Sequence, residues 1–105
     1  MPTYNSTRHV DDALDSIAGQ TNQNYHVYLC DGGSSDNTID RVTSKLKSKV
    51  SVVSRSDDGV PDALNKGFSA ARGQLLCWLN SDDVILSKNL ASNLFSAYRL
   101  SAFDV

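Results

Sequence analysis

Two adjacent aspartates, Asp82 and Asp83, directly follow an apolar run and the residues Asn80 and Ser81. Adjacent carboxylates repel each other and lose solvation when they are partly buried, so they need a compensating partner. Mg²⁺ and Mn²⁺ take one or two carboxylates and complete their coordination with water and substrate phosphates. The pair therefore indicates either a metal site for a phosphorylated ligand or a solvated acidic turn that caps the next helix.

A second acidic motif, Cys-Asp-Gly-Gly at 30–33, also ends an apolar run. Asp31 would present its carboxylate at the end of a strand, and the two glycines would let a ligand approach the backbone closely. The alternative is an ordinary strand-to-helix turn, in which glycine supplies positive φ and Ser35 or Asp36 caps the helix. The motif alone leaves both interpretations open.

A third motif, Asp-Asp-Gly-Val-Pro-Asp-Ala-Leu-Asn-Lys-Gly at 57–67, predicts a turn followed by a helix. Asp62 and Lys66 are four residues apart, which permits an ion pair along the helix. Lys66 would either point towards a phosphate or form an exposed pair worth only ~0.3–0.5 kcal/mol. Gly67 lowers helix stability by roughly 0.5–1 kcal/mol relative to alanine, and a close packing contact would explain its presence.

The elements that must position these motifs alternate between helical and strand periodicity. Helical stripes are formed by Val10, Leu14 and Ile17, by Ile39, Val42 and Leu46, by Leu64, Phe68 and Ala71, and by Leu90, Leu94 and Phe95. Strands are predicted at 25–30, 50–54 and 74–79. This order predicts an α/β fold with three layers, α/β/α, around a mostly parallel sheet. Both acidic strand-end motifs then lie at the carboxyl edge of the sheet, where such folds bind ligands.

The composition is that of a globular domain and excludes some classes of protein. A chain of 105 residues with 40% hydrophobic residues suits one domain, and a formal charge of -2 argues against a nucleic-acid partner. Cys30 and Cys77 lie inside apolar runs, which predicts buried reduced thiols and a cytoplasmic setting. His9 and His26 show no metal-binding spacing and are predicted to lie on the surface or on the face of a strand. No apolar run is long enough to span a bilayer.

Five segments taken in order carry a family resemblance. They are Pro-Thr-Tyr-Asn-Ser, Ser-Ile-Ala-Gly-Gln-Thr, Cys-Asp-Gly-Gly-Ser-Ser-Asp-Asn-Thr, Asp-Asp-Gly-Val-Pro-Asp-Ala-Leu-Asn-Lys-Gly and Trp-Leu-Asn-Ser-Asp-Asp. Together they resemble the family 2 glycosyltransferases, which are inverting, nucleotide-sugar-dependent enzymes with the GT-A fold. The resemblance is strong from Pro2 to about Asp83 and looser beyond.

The resemblance implies roles for residues near the nucleotide. Pro2 and Tyr4 match the end of the family's first strand, where the tyrosine lies against the base. Asp31 matches the acid that hydrogen-bonds the base, usually uracil. The chain has Gly32 where the family usually has a second acid, and Asn80 where many relatives have aspartate.

The resemblance also implies roles around the diphosphate. Asp58 matches the acid before the family's helix, and Asp62 and Lys66 match residues of that helix. Asp82 would approach the ribose and the sugar. Asp83 would hold a divalent metal, Mn²⁺ or Mg²⁺, that bridges the diphosphate.

The implied function is inverting transfer of a sugar from a nucleotide-sugar donor, a UDP-sugar by expectation, to a glycan or lipid-linked acceptor. Residues 1–105 would form a single partial GT-A domain that binds the donor and is inactive alone, within a larger protein that associates peripherally with the membrane. The chain opens without an apolar first strand and ends as another strand would begin. That first strand would lie between 25–30 and 74–79, so we expect an exposed sheet edge and self-association. The alternatives are a non-catalytic nucleotide-binding or interaction domain and an inactive truncated product. The sequence offers no catalytic base to name.

Overall fold

A computed structural model describes residues 1–54 and 58–101. Its elements in chain order are β1 (Pro2–Thr3), α1 (Val10–Ala18), β2 (Val27–Asp31), α2 (Thr38–Leu46), a 3₁₀ turn (Lys47–Lys49), β3 (Val50–Ser54), α3 (Val60–Ala70) and α4 (Leu90–Ser101). The four predicted helices and two of the three predicted strands are confirmed.

The three strands form one parallel sheet in the order β1-β2-β3. In β1, Pro2 and Thr3 pair with Cys30 and Asp31 at the end of β2. Parallel pairing brings the carboxyl ends of all three strands to the same edge. The sheet therefore places the residues that follow β1 and β2 side by side, as the alternating pattern predicted.

The helices α1 and α2 pack against each other and supply most of the main core. This core consists of Val10, Leu14, Ile17, Leu29, Val42 and Leu46, all buried. The predicted helical stripes of α1 and α2 face this core, with Ile39 partly buried at its border. Two exposed ion pairs, Arg41–Asp11 and Lys45–Asp15, connect the outer surfaces of the two helices.

The helix α3 packs against all three strands and is joined most closely to β2. At the contact, a Cβ atom added to Gly67 would lie 2.7 Å from the Sγ atom of Cys30. Cys30 is buried in β2, so its sulfur has little room to move. This contact explains why a glycine stands in the middle of α3, as the sequence indicated.

We expect Gly67→Ala to destabilise the chain by about 1–3 kcal/mol because overpacking at Cys30 outweighs the better helix propensity of alanine. Urea unfolding of this variant would measure the change. Ser69→Ala, at an exposed position of the same helix, is the matched control. Combining Gly67→Ala with Cys30→Ala should recover part of the loss, whereas an unchanged or raised stability of Gly67→Ala alone would contradict the packing argument.

The strand predicted at 74–79 is wrong, since those residues pair with no strand in the described structure. The carbonyl oxygens of Met1 and Thr3 point towards β2, where they accept hydrogen bonds from the N–H groups of Cys30 and Gly32 at 2.9 and 2.8 Å. Because backbone groups alternate in direction along a strand, the nitrogen and the carbonyl of Pro2 point away from β2, to the outer edge of β1. Proline has no N–H, and the outer edge of this two-residue strand therefore offers a neighbour no donor there. The apolar residues of 74–79 remain largely exposed.

One related prediction is confirmed and another needs correction. Pro2–Thr3 pairs with the end of β2, in the place where the resemblance puts the end of the first strand. The interpretation of two buried thiols holds for Cys30 but is wrong for Cys77, which is exposed as part of the unpaired segment. Cys30 and Cys77 are both outside disulfides, and both histidines are exposed as predicted.

The predicted cap of α2 is displaced. The helix begins after Asn37 instead of Ser35 or Asp36, and the side chain of Asn37 makes no capping hydrogen bond. The carboxylate of Asp36 nevertheless accepts the backbone N–H of Thr38 at 3.0 Å. Asp36 therefore satisfies a first-turn donor of α2 from one position further out.

No helix in the described part of the chain combines the length and the apolar character that crossing a bilayer requires.

Candidate functional site

Three segments meet at the carboxyl edge of the sheet: the residues after β1, the loop after β2, and the acidic turn at 80–83. The Oγ atoms of Ser6 and Ser81 lie 2.8 Å apart, which joins the first segment to the acidic turn. The backbone N–H of Asn5 donates to Ser34 Oγ at 2.9 Å, which joins the first segment to the loop. The two strand-end motifs are thus connected through the residues after β1.

Asp31 organises the loop after β2. One carboxylate oxygen accepts the backbone N–H groups of Gly33 and Ser34 at 2.9 and 2.7 Å, and the other accepts the Ser34 hydroxyl at 2.5 Å. The side chain is fully buried, and Gly33 has a φ of 96° that favours glycine. Its carboxylate therefore holds the loop, Gly33 supplies the positive φ that the ordinary-turn interpretation predicted, and direct contact with a base remains a prediction.

Asn5 fixes the same loop from the other side. Its Oδ1 atom accepts the backbone N–H groups of Ser35 and Asp36 at 2.8 and 3.4 Å. Asn5 has a φ of 45°, a left-handed conformation that asparagine tolerates better than most residues. The sequence motifs gave Asn5 no role, although an asparagine shortly after a strand is a recognised turn signal.

Hydroxyl groups between these segments form a continuous chain of hydrogen bonds. Thr3 Oγ1 donates to Ser6 Oγ at 2.9 Å, and Thr38 Oγ1 accepts the backbone N–H of Ser6 at 2.8 Å. Thr38 Oγ1 in turn donates to Asp36 Oδ1 at 2.5 Å, and the hydrogen bonds from Thr38 lower the pKa of Asp36 from its ordinary value. Sequence reasoning missed the link between Ser6 and Thr38 because these two residues are 32 positions apart in the chain.

The acidic turn is closed by its own hydrogen bonds. The backbone N–H of Asp83 donates to the carbonyl of Asn80 at 3.0 Å, and Asp83 Oδ2 accepts the N–H of Asn80 at 3.3 Å. Trp78 Nε1 donates to Asn80 Oδ1 at 2.7 Å, which ties the tryptophan to the turn. The side chains of Asp82 and Asp83 are exposed, whereas the preceding residue, Ser81, is buried.

The start of α3 carries the third motif. Asp62 Oδ2 accepts the backbone N–H of Asp58 at 3.0 Å and lies 3.0 Å from Lys66 Nζ. The hydrogen bond from Asp58, followed by that from Lys66, lowers the pKa of Asp62. The predicted ion pair within α3 is confirmed. α3 begins at Val60, six residues after β3 ends at Ser54, so its first turn lies near the same edge.

Pro2 and Tyr4, which the family resemblance places near the nucleotide, lie in different environments. Pro2 is buried within the sheet, while the Tyr4 side chain is largely exposed beyond the end of β1. The exposed ring of Tyr4 suits stacking against a planar ligand, and Pro2 supports the strand that presents it.

The acidic turn fits a cation that brings its own further ligands. In residues 1–54 and 58–101, no cluster of three or more His, Cys, Asp or Glu side chains could enclose a metal ion. Two exposed carboxylates suit Mg²⁺ or Mn²⁺ only when phosphate oxygens and water complete the coordination. The donor set therefore fits a metal that binds together with a diphosphate.

The sequence matches the family described as Glycosyl transferase family 2 over residues 1–98. A PGL/p-HBAD biosynthesis glycosyltransferase of Mycobacterium bovis is 37% identical over 86 residues, which are 79% of this chain and 34% of the relative. An uncharacterized glycosyltransferase of a Nostoc species is 32% identical over 87 residues, which are 80% of this chain and 27% of the relative. The chain therefore spans about a third or less of the length of these relatives.

Among solved structures, S. aureus TarS 1-349 in complex with UDP-GlcNAc matches this chain with a TM-score of 0.76 and 25% identity. The match covers 96% of this chain and 30% of that one. The three-layer architecture is thus that of the GT-A type, and the described strands and helices form one portion of it.

Proposed function

Because this chain belongs to glycosyl transferase family 2, we propose that it is the donor-binding part of an inverting glycosyltransferase. The donor is a nucleotide sugar, with a UDP-sugar as the specific proposal. The sugar is transferred to a glycan or lipid-linked acceptor, which a further part of the enzyme would bind. Residues 1–105 would form a single partial domain with little or no transfer activity alone.

One observation carries this proposal: the residues after β1, the loop after β2 and the acidic turn are joined by hydrogen bonds at the carboxyl edge. The joining bonds are Asn5 to Ser34 at 2.9 Å and Ser6 to Ser81 at 2.8 Å. Nucleotides bind at this edge in open α/β sheets. The UDP-GlcNAc complex of a structurally similar transferase supports the choice of donor.

The nucleoside would lie over the ends of β1 and β2. We assign Tyr4 to stacking on the base and Asp31 to recognition of the base, with Pro2 supporting this wall of the site. Because the Asp31 carboxylate already holds Gly33 and Ser34, it acts on the base together with the loop that it organises.

The diphosphate would lie between the start of α3 and the acidic turn. Asp58, Asp62 and Lys66 form the helix side of this region, and Lys66 supplies a cation that can face phosphate oxygens. Asp82 is assigned to the ribose and the sugar, and Asp83 to the metal, Mn²⁺ or Mg²⁺. When bound, the metal stabilises the charge that develops on the departing diphosphate as a Lewis acid.

Calorimetric titration of the chain with UDP and with UDP-GlcNAc, in the presence and absence of Mn²⁺, tests the proposal. We expect binding of both ligands, strengthened by Mn²⁺, together with negligible transfer to added acceptors. Binding without metal dependence or sugar preference would favour a non-catalytic nucleotide-binding domain. Lack of binding to either ligand would refute the donor-site proposal.

For partners, we infer that a second copy of this chain covers the unpaired segment 74–79. This segment exposes apolar side chains, with Leu76 and Trp78 exposed by 51% and 53%. We expect the mass measured by light scattering to rise with concentration, and Leu76→Asp to keep the chain monomeric. Leu86→Asp, at an exposed leucine outside the segment, is the control and should still associate. A monomer at every concentration would contradict the inference.

We place the protein in the cytoplasm, with peripheral association of the full-length enzyme at the inner face of the membrane. The two cysteines, which form no disulfide with each other, agree with a reducing compartment. A lipid-linked acceptor would explain recruitment to the membrane surface. Fractionation of cells that express the full-length protein, before and after a high-salt wash, would test this placement.

A further inference from the structure

We propose that Ser6 and Ser81 are positioning residues for the acidic turn, and that the Ser81 hydroxyl donates a hydrogen bond to an oxygen atom of the bound nucleotide diphosphate. This inference deepens the proposed donor site and depends on it for the identity of the ligand. The positioning role of Ser6 does not depend on the ligand, because it is inferred from hydrogen bonds within the chain.

The contact between Ser6 and Ser81 bridges residues that are 75 positions apart in the chain. The remaining hydrogen bonds of the turn stay within 78–83: they join Trp78 to Asn80, and Asn80 to Asp83. In the described residues, the contact between Ser6 and Ser81 is therefore the hydrogen bond that anchors the turn to the sheet. Ser81 is only 8% exposed although its neighbours Asp82 and Asp83 are exposed.

Ser6 is itself held firmly. Its backbone N–H donates to Thr38 Oγ1 at 2.8 Å, and its Oγ accepts from Thr3 Oγ1 at 2.9 Å. Thr38 is fully buried at the start of α2, and Thr3 is buried at the end of β1. Since both partners belong to regular elements, Ser6 is fixed relative to β1 and α2, and its contact with Ser81 fixes the turn relative to them.

The hydrogen bonds around Ser6 leave two possible acceptors for its own proton. Ser6 Oγ accepts from Thr3 Oγ1 and from the backbone N–H of Tyr4 at 3.3 Å, which occupies both lone pairs of a hydroxyl oxygen. Its own proton can go to Ser81 Oγ at 2.8 Å or to the Tyr4 carbonyl at 3.2 Å. The shorter distance favours Ser81 as the acceptor.

A consequence follows for Ser81. When Ser81 accepts the Ser6 proton, its own O–H is left to donate, and no second acceptor for it occurs within the described residues. The Ser81 hydroxyl is largely buried and lies beside the two carboxylates that we assign to the metal and the sugar nucleotide. It is therefore suited to donate a hydrogen bond to a phosphate oxygen. The same group would then both position the turn and contact the ligand.

The test uses the 105-residue chain and titrates UDP with and without Mn²⁺. We expect Ser81→Ala to weaken binding of UDP about five- to tenfold with and without Mn²⁺, the effect of one lost hydrogen bond to the diphosphate. Ser6→Ala should produce a smaller loss because it leaves the Ser81 donor in place. Ser81→Thr keeps the hydroxyl and should restore binding, while Ser44→Ala on the exposed side of α2 should have no effect.

Trp78 gives a readout that needs no ligand. It is the single tryptophan of the chain, and its indole N–H donates to Asn80 in the turn. We expect Ser6→Ala and Ser81→Ala to increase quenching of its fluorescence by acrylamide, while Ser44→Ala does not. Circular dichroism melting would confirm that each variant is folded, and an unfolded Ser81→Ala would leave Ser6→Ala and Ser81→Thr to decide.

The outcomes separate the two proposals. If the unmodified chain fails to bind UDP, the proposed function is refuted and Trp78 quenching alone decides the positioning role. Unchanged quenching in both alanine variants would overturn that role. If UDP binds but Ser81→Ala binds it as tightly as the unmodified chain does, or Ser81→Thr fails to restore the affinity, the proposed donor role of Ser81 is wrong.

Discussion

Asp83→Asn is expected to weaken Mn²⁺-dependent binding of UDP by at least about tenfold, while metal-free binding stays nearly unchanged. A hard cation prefers the negative carboxylate, which the amide lacks. The amide keeps an oxygen that can accept the N–H of Asn80, as Asp83 Oδ2 does at 3.3 Å. The variant therefore removes charge while preserving the turn, and calorimetric titration with and without Mn²⁺ would measure its effect.

Two further measurements complete this experiment. Asp12→Asn, at an exposed aspartate of α1 away from the turn, is the matched control for a loss of one charge. The stability of Asp83→Asn should equal or slightly exceed that of the unmodified chain because repulsion from Asp82 is relieved. Equal losses of affinity with and without Mn²⁺ would refute the metal assignment and favour a solvated acidic turn.

Asp31→Asn is expected to show the opposite pattern, with UDP binding weakened roughly tenfold whether or not Mn²⁺ is present. The proposed partner of Asp31 is the base, so the metal should not alter the loss. The buried carboxylate also accepts three hydrogen bonds from Gly33 and Ser34. Hydrogen bonds to a charged group are stronger than neutral ones, so we expect a stability loss of about 1–3 kcal/mol as well.

The loop contribution of Asp31 can be separated from base recognition. Ser34→Ala removes the hydroxyl that donates to Asp31 and accepts the N–H of Asn5, but it leaves the carboxylate in place. If Asp31 contacts the base, Ser34→Ala should reduce stability in urea unfolding with a smaller effect on UDP binding than Asp31→Asn. Identical losses of affinity in the two variants would show that Asp31 acts through the loop alone.

Features that depend on neighbours within a few residues were predictable from the sequence. The stripes of α1 and α2 follow from helical periodicity, and these apolar residues form the main core. The ion pair between Asp62 and Lys66 requires only four residues of one helix. The place of Asp31 at a strand end follows from the apolar run before it, so the carboxyl edge could be identified as the candidate site.

Features that depend on distant partners were decided by the tertiary structure. The run at 74–79 has the composition of a strand, but strand pairing needs a neighbour, and the outer edge of β1 presents a proline without an N–H. The exposure of Cys77 follows from the same unpaired segment. Intrinsic strand propensity is a statement about packing against neighbours, and the sequence does not reveal whether they are available.

The same reason applies within the candidate site. The residue types at 80–83 indicated oxygen ligands, but the anchoring of the turn by Ser6 depends on a contact across 75 positions. The roles of Asn5 and Asp31 in holding the loop after β2 likewise depend on side-chain directions that the folded backbone sets. The sequence determined which chemical groups are present at the strand ends, whereas only the fold decided which of them are buried, joined and held in place.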